Sequence, residues 1–198
     1  MKDFILHKRH VVSKDKCDRI INYFETHKES QHVGTVGGRG IEPDRKISTE
    51  MLLSLKNGPL TEPSHLPPRE VFSLFGEFLV EAVEVYKKQY PFLDIGLNSW
   101  TFYENYKIQK YNPNEGYFAL HCENDGVGLE EIKRVLAWMI YLNDVTDGGH
   151  TEFPSQNKKF QPRRGDILIW PAGWTHPHRG VTSKSQTKYI VTGWYSYL

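Results

Sequence analysis

His121 and Glu123 stand two positions apart in GYFALHCEN, with histidines at 176 and 178 and a lysine at 188 further along the chain. Two imidazoles and one carboxylate are the ligand set of a mononuclear iron site that keeps coordination positions open for chemistry. On a strand, residues two apart project to the same side, so His121 and Glu123 could meet one ion while Cys122 faces away. A carboxylate on an apolar inward face is expensive to bury alone and needs a metal, a cation or strong hydrogen bonds. Asp125 is the competing carboxylate, placed in the turn leading to Gly126. His176 and His178, in WTHPHRG, share strand parity, so periodicity does not choose the second imidazole. Along KYIVTGWYSY, Lys188 shares a face with Ile190, Thr192 and Trp194. A lysine buried there demands an anionic partner, for which an acidic cosubstrate would serve.

The elements that must position these residues change character along the chain. Ile5 to Val12 reads as a short strand. Ser13 is a helix N-cap, and Cys17, Ile20, Ile21 and Phe24 recur at helical spacing behind it. The stretch GTVGGRGIEPDR has turn chemistry and no phosphate-binding fingerprint. Pro67-Pro68 opens a second helix, expected over 69–90, with an apolar stripe from Val71 to Tyr86, Gly76 as a weak point and Pro91 as its end. From Ser99 onward, short strands are expected at 100–111, 116–123, 134–142, 150–153, 166–170, 176–181 and 187–197. RVLAWMIYL (134–142) is apolar on both faces, as a central strand would be. Helices first and strands later predict an α+β fold with a sheet closed or sandwiched over the site.

Composition bounds the partners. The 198 residues suit one domain, 1–198, with a sizeable core. Lys plus Arg number 25 against 24 Asp plus Glu, which argues against a nucleic-acid-binding role. Two distant cysteines, Cys17 and Cys122, do not make a disulfide framework. No signal-peptide pattern opens the chain and no apolar run is long enough for a bilayer, so a cytoplasmic protein without a membrane partner is expected.

The motifs His121-x-Glu123, YLND at 141–144, GG at 148–149 with Thr151 and FP at 153–154, GDILIWPAGW at 165–174, PHRG at 177–180 and KYIVTGW at 188–194 together resemble the iron(II)- and 2-oxoglutarate-dependent dioxygenases. Within them they look most like the prolyl 4-hydroxylase-type branch. The resemblance covers roughly residues 100–198. It implies a double-stranded β-helix (jelly-roll) core over about 99–198, braced by N-terminal helices over about 1–98. It also implies which histidine is used, because the basic residue for the far carboxylate of 2-oxoglutarate follows the distal ligand by about ten positions. That count selects His178 and gives His121, Glu123 and His178 as the metal ligands. Lys188 and Tyr111 are implied to hold the cosubstrate carboxylate, with Tyr141 and Thr151 as further residues approaching it. Arg179 has the wrong parity for that task. One departure stands out: the carboxylate of the family pattern is aspartate, and this chain has Glu123.

The implied activity is hydroxylation of an unactivated carbon in a protein, peptide or amino-acid-like substrate, with 2-oxoglutarate decarboxylated to succinate. Fe(II), 2-oxoglutarate and dioxygen are the implied cofactors, with ascorbate as an accessory candidate. The competing readings are a non-catalytic metal-binding jelly-roll module, a nucleic-acid dealkylase of the same superfamily, and a zinc site for hydrolysis. The module would not need Lys188 with Tyr111, and the dealkylase would show an arginine-rich cosubstrate motif and a basic groove. The loop around 34–45 and the segment from Asn57 to Pro68 are the lid candidates.

Overall fold

A computed structural model describes residues 2–55 and 68–198. Twelve strands alternate with four α-helices among them: β1 (Leu6–Lys8), α1 (Lys14–Thr26), β2 (His32–Val33), β3 (Lys46–Ile47), β4 (Thr49–Ser54), α2 (Pro68–Ser73), α3 (Gly76–Gln89), α4 (Phe92–Ile95), β5 (Trp100–Tyr111), β6 (Gly116–Tyr117), β7 (Arg134–Tyr141), β8 (Thr151–Phe153), β9 (Lys158–Phe160), β10 (Ile167–Pro171), β11 (Arg179–Gly180) and β12 (Lys188–Tyr197). The large sheet runs β1-β10-β7-β12-β5-β4-β2, and β11-β8-β9 and β3-β6 form two smaller sheets. Every pairing is antiparallel.

β7 explains the layering. Leu136, Trp138 and Ile140 enter a hydrophobic cluster with Cys17, Ile20 and Phe24 of α1 and with Leu79, Ala82, Val83 and Tyr86 of α3. The intervening Ala137, Met139 and Tyr141 join a second cluster with Leu168, Trp170, Ile190 and Trp194. A strand covered on both faces must be apolar throughout, because alternate side chains point to opposite layers. The helices therefore sit on one face of the large sheet, and the other face is turned toward the small sheets and the site.

α1 follows its sequence closely. The Ser13 side chain accepts from the Lys16 amide at 3.4 Å, and Cys17, Ile20 and Phe24 are buried at successive turns. The second helix does not run unbroken over 69–90. It stops at Ser73 and restarts at Gly76, because Leu74 and Phe75 tighten into turns that bond Leu74 N to Val71 O and Phe75 N to Phe72 O. The break drops the Phe75 ring against Tyr106 and Trp138, 5.6 and 5.7 Å between centroids. Core packing of one large ring outweighs helical continuity here. The strand expected over 116–123 is also shorter. The Phe118 and Ala119 amides both turn to the Arg45 carbonyl, so β6 ends at Tyr117 and pairing resumes only as an isolated bridge at His121. The strand expected over 176–181 likewise reduces to β11 and the bridge at His178. β4 was not anticipated; TEMLLS fills the place beside β5.

Candidate metal centre and cosubstrate cavity

Three donors converge on the inner side of the large sheet. Glu123 Oε1 lies 3.7 Å from His121 Nε2 and 3.3 Å from His178 Nε2. One ligand atom from each residue falls within 4.8 Å of the others. Main-chain bonds produce this meeting. His121 and His178 are partners in an isolated antiparallel bridge, and the Glu123 and Asn124 amides both donate to the Ala172 carbonyl at 3.0 and 2.9 Å. Strand parity was the reason to pair His121 with Glu123; a bridge followed by a bifurcated anchor is what brings them together.

The imidazoles are oriented for metal binding. His121 Nδ1 lies 2.9 Å from the Ala119 carbonyl and His178 Nδ1 lies 3.1 Å from the His176 carbonyl. A carbonyl accepts only, so each Nδ1 carries the proton and each Nε2 keeps its lone pair toward Glu123. Tyr117 stacks on His121 with centroids 3.5 Å apart and planes 9° apart. Phe153 and Trp170 enclose His178 at 5.1 and 5.0 Å. Burial, with His178 close by, pulls the His121 imidazole below its ordinary value. Burial alone would raise the Glu123 carboxyl; when the two imidazoles also carry a proton at Nε2, their hydrogen bonds and charge hold it well below the usual carboxylate range. Such a donor set fits a first-row divalent ion.

His176 lies elsewhere. Its Nε2 is 2.9 Å from the Asp3 carbonyl and its Nδ1 is 2.9 Å from Thr175 Oγ1, so it fastens the N-terminal segment. Asp125 is also outside the cluster: it accepts from the Val127 amide at 3.1 Å and faces Arg39 at 3.8 Å. Arg179 turns outward onto Glu152, at 2.7 Å from Nη2.

A cavity of about 220 Å³ opens beside the three donors, and Lys188, Tyr111 and Thr151 line it. Lys188 and Tyr111 are Cα partners between β12 and β5, and the ammonium sits 4.8 Å from the Tyr111 ring centroid. Lys188 Nζ donates to the Gly149 carbonyl at 3.1 Å, and no carboxylate among the described residues pairs with it. Burial pulls its ammonium down to about 8. The Tyr111 hydroxyl bonds to the Gln109 side chain. Tyr141 is fully buried behind the wall, its hydroxyl 2.7 Å from Thr151 Oγ1 and 3.1 Å from the Phe160 carbonyl. It reaches the cavity only through Thr151. Cys122 lines the cavity rim, its thiol 3.3 Å from the Asn124 carbonyl.

Several participants escaped sequence reasoning. Trp194 Nε1 donates to Glu123 Oε2 at 2.8 Å, and the Arg134 guanidinium stacks over the Trp194 ring at 3.8 Å. Arg134 carried one signal, as the sole charge opening an apolar strand. Glu50, fully buried on β4, binds Lys46 and Lys107, both of which line the cavity. Nothing in the spacing of those three residues announces a cluster. Thr35, Val36 and Gly37 of the glycine-rich loop reach the cavity, whereas the other lid candidate, 57–68, lies outside the described residues except for Pro68.

The sequence profile described as "2OG-Fe(II) oxygenase superfamily" matches residues 106–196, the stretch holding all three donors and Lys188. Over these residues, a little under half of the chain, the sequence is similar to that superfamily. A relative from Acanthamoeba polyphaga mimivirus, named "Putative prolyl 4-hydroxylase", is 33% identical over 46% of this chain and 44% of its own length. The match thus spans less than half of that relative. Over nearly the whole chain the fold resembles solved structures at low identity. A viral collagen prolyl hydroxylase from Paramecium Bursaria Chlorella virus-1, in complex with 2OG, superposes with a TM-score of 0.69 at 19% identity, covering 99% of this chain and 97% of that one. A Trichoplax adhaerens prolyl hydroxylase in complex with a hypoxia-inducible-factor peptide fragment gives 0.70 at 13% identity, covering 98% and 84%. The large sheet with its two small companions shares the jelly-roll fold of these proteins.

Proposed function

We propose that this chain is an Fe(II)- and 2-oxoglutarate-dependent dioxygenase that hydroxylates an unactivated carbon of a protein, peptide or amino-acid-like substrate, in the manner of the prolyl hydroxylases. One observation carries the reading: His121 Nε2, Glu123 Oε1 and His178 Nε2 face one point, and a buried lysine with no carboxylate partner among the described residues opens into the same cavity. The chain acts as one domain, 1–198, with α1 and α3 bracing the jelly roll.

In this reading His121, Glu123 and His178 hold Fe(II), and Lys188 holds the far carboxylate of 2-oxoglutarate. Iron with bound 2-oxoglutarate and dioxygen supplies the oxidising chemistry, yielding succinate and carbon dioxide alongside the hydroxylated product. The protein's own share is positional. The two Nδ1–H groups lock the imidazoles in the tautomer that offers Nε2. Lys188 offers a charge-assisted contact in a dry setting, where it is stronger than in water. Tyr111 packs against that ammonium, and Thr151, fixed by Tyr141, gives a hydroxyl on the same wall. The glycine-rich loop at 34–45 serves as a lid over the substrate.

Anaerobic addition of Fe(II) and 2-oxoglutarate should produce a metal-to-ligand charge-transfer band in the visible, and air should then release succinate. Folded protein that gives neither would sink the assignment.

A further inference from the structure

A glutamate at the carboxylate position carries one more rotatable bond than an aspartate, so its two oxygens have more ways to meet an ion, or to miss it. The structure shows what limits that freedom. Glu123 Oε2 is taken by the Trp194 indole N–H at 2.8 Å, on the side away from the histidines' partner Oε1. Arg134 Nη1 stands 3.7 Å from the same Oε2 and donates to the main-chain carbonyl of Glu123 at 2.9 Å. Its other terminal nitrogen is 3.3 Å from Glu131 Oε1. The guanidinium plane rests on the Trp194 ring at 3.8 Å, so the two residues that grip Glu123 also hold each other.

The delivery of the indole is built into the sheet. The β12 register against β5 shifts between Gly193 and Tyr195, leaving Trp194 as the unmatched residue. A bulge of this kind re-aims a side chain. Gly193 itself is pressed against Trp138, where an added Cβ would come within 2.3 Å of the ring. Arg134 starts β7, three residues before the Ala137 that pairs with Trp194, and is itself the partner of Ser196, two residues after Trp194.

We infer that Trp194 and Arg134 are positioning residues that occupy Oε2 of Glu123 and commit this longer carboxylate to offering Oε1 alone. The inference rests on the metal-centre reading above. A single-oxygen ligand leaves more of the metal's coordination sphere open than a chelating one, which an iron site that must also take cosubstrate and dioxygen requires. Trp194 and Arg134 act through Glu123 and touch no reacting atom.

The test uses Mn(II) and Co(II) titrated into the full chain by calorimetry, with the visible Co(II) spectrum recorded at each point. Wild type, Trp194→Phe, Arg134→Gln, Glu123→Asp and the double variant Trp194→Phe/Glu123→Asp are compared. Trp194→Phe keeps the ring but removes the indole donor, and should weaken metal binding about tenfold to a hundredfold, the range for lost hydrogen bonds to ligands. The Co(II) bands should change intensity as the carboxylate begins to chelate and the coordination number changes. Arg134→Gln should shift both readouts in the same direction and serves alone if Trp194→Phe fails to fold. In the Glu123→Asp background the shorter side chain no longer reaches the indole, so adding Trp194→Phe should cost less than about threefold, a strong non-additivity. Wild-type affinity and an unchanged Co(II) spectrum in both Trp194→Phe and Arg134→Gln would overturn the inference. So would an equal loss from Trp194→Phe in the Glu and Asp backgrounds. A wild-type chain that binds neither metal overturns the metal-centre reading itself, a separate result.

Discussion

His121 and His178, fifty-seven positions apart in sequence, exchange main-chain hydrogen bonds in both directions: His121 N to His178 O at 3.0 Å and His178 N to His121 O at 2.8 Å. In an antiparallel pair, residues placed directly opposite put their side chains on the same face. The two imidazoles are thus side by side because of backbone geometry, before any ion binds. His178→Ala should abolish metal binding measured by calorimetry. His176→Ala should leave it within about threefold, while loosening the N-terminal segment by about 1 kcal/mol through the lost Asp3 contact. The opposite pattern would move the centre by two residues.

Metal should stabilise the fold. An ion that binds the folded chain alone, present at a hundred times its Kd, adds about 2.7 kcal/mol. Thermal melts with Mn(II) should therefore rise by several degrees over melts in EDTA, and the rise should vanish in His178→Ala. An identical Tm with and without metal would contradict a site made of these residues.

Lys188 sets a pH dependence. Burial holds its ammonium at about 8, below the 10.5 of an ordinary lysine. The unfolded chain therefore binds the extra proton between pH 8 and 10.5. This group's destabilisation is complete below about pH 8 and is relieved as the pH climbs to 10.5, by roughly 3 kcal/mol in all. An anionic cosubstrate needs the charged form, so 2-oxoglutarate binding should take up a proton above pH 8 and weaken toward tenfold per pH unit. Lys188→Met should bind weakly with a flat profile. A wild-type affinity constant from pH 7 to 10 would remove Lys188 from the cosubstrate site.

Core packing offers a control away from the centre. Phe75→Ala deletes the ring that the helix break lowers onto Tyr106 and Trp138, and should cost about 3–5 kcal/mol in urea unfolding. Ser13→Ala, losing a long cap hydrogen bond, should cost only about 0.5–1 kcal/mol. A smaller loss for Phe75→Ala than for Ser13→Ala would mean the ring is not what holds the broken helix.

The sequence was most legible where one residue type had one task. Ser13 and the spacing of Cys17, Ile20 and Phe24 defined α1, and RVLAWMIYL announced a strand covered on both sides. Alternation along KYIVTGWYSY placed Lys188 and Trp194 on the inner face. The site was harder to read where tertiary bonds override local pattern. No periodicity could say that the Phe118 and Ala119 amides would turn to Arg45, or that Ala172 would anchor Glu123. The Lys46–Glu50–Lys107 cluster was invisible because its pairing depends on β4 lying beside β5, and β4 was unseen. The family resemblance implied that Tyr141 approaches the cosubstrate; in the structure Thr151 stands between its hydroxyl and the cavity.

β7 has a consequence outside the folded state. Its two-sided burial leaves no place for a charge between Arg134 and Asp144, so VLAWMIYL is an uncharged β-forming run. Such a segment, exposed in a nascent or partly melted chain, pairs readily with its own copies. Lys133 with Arg134 on one side and Asp144 on the other are its flanking safeguards against self-association. The wall that encloses the cavity is, in the unfolded chain, the segment that most needs to be hidden quickly.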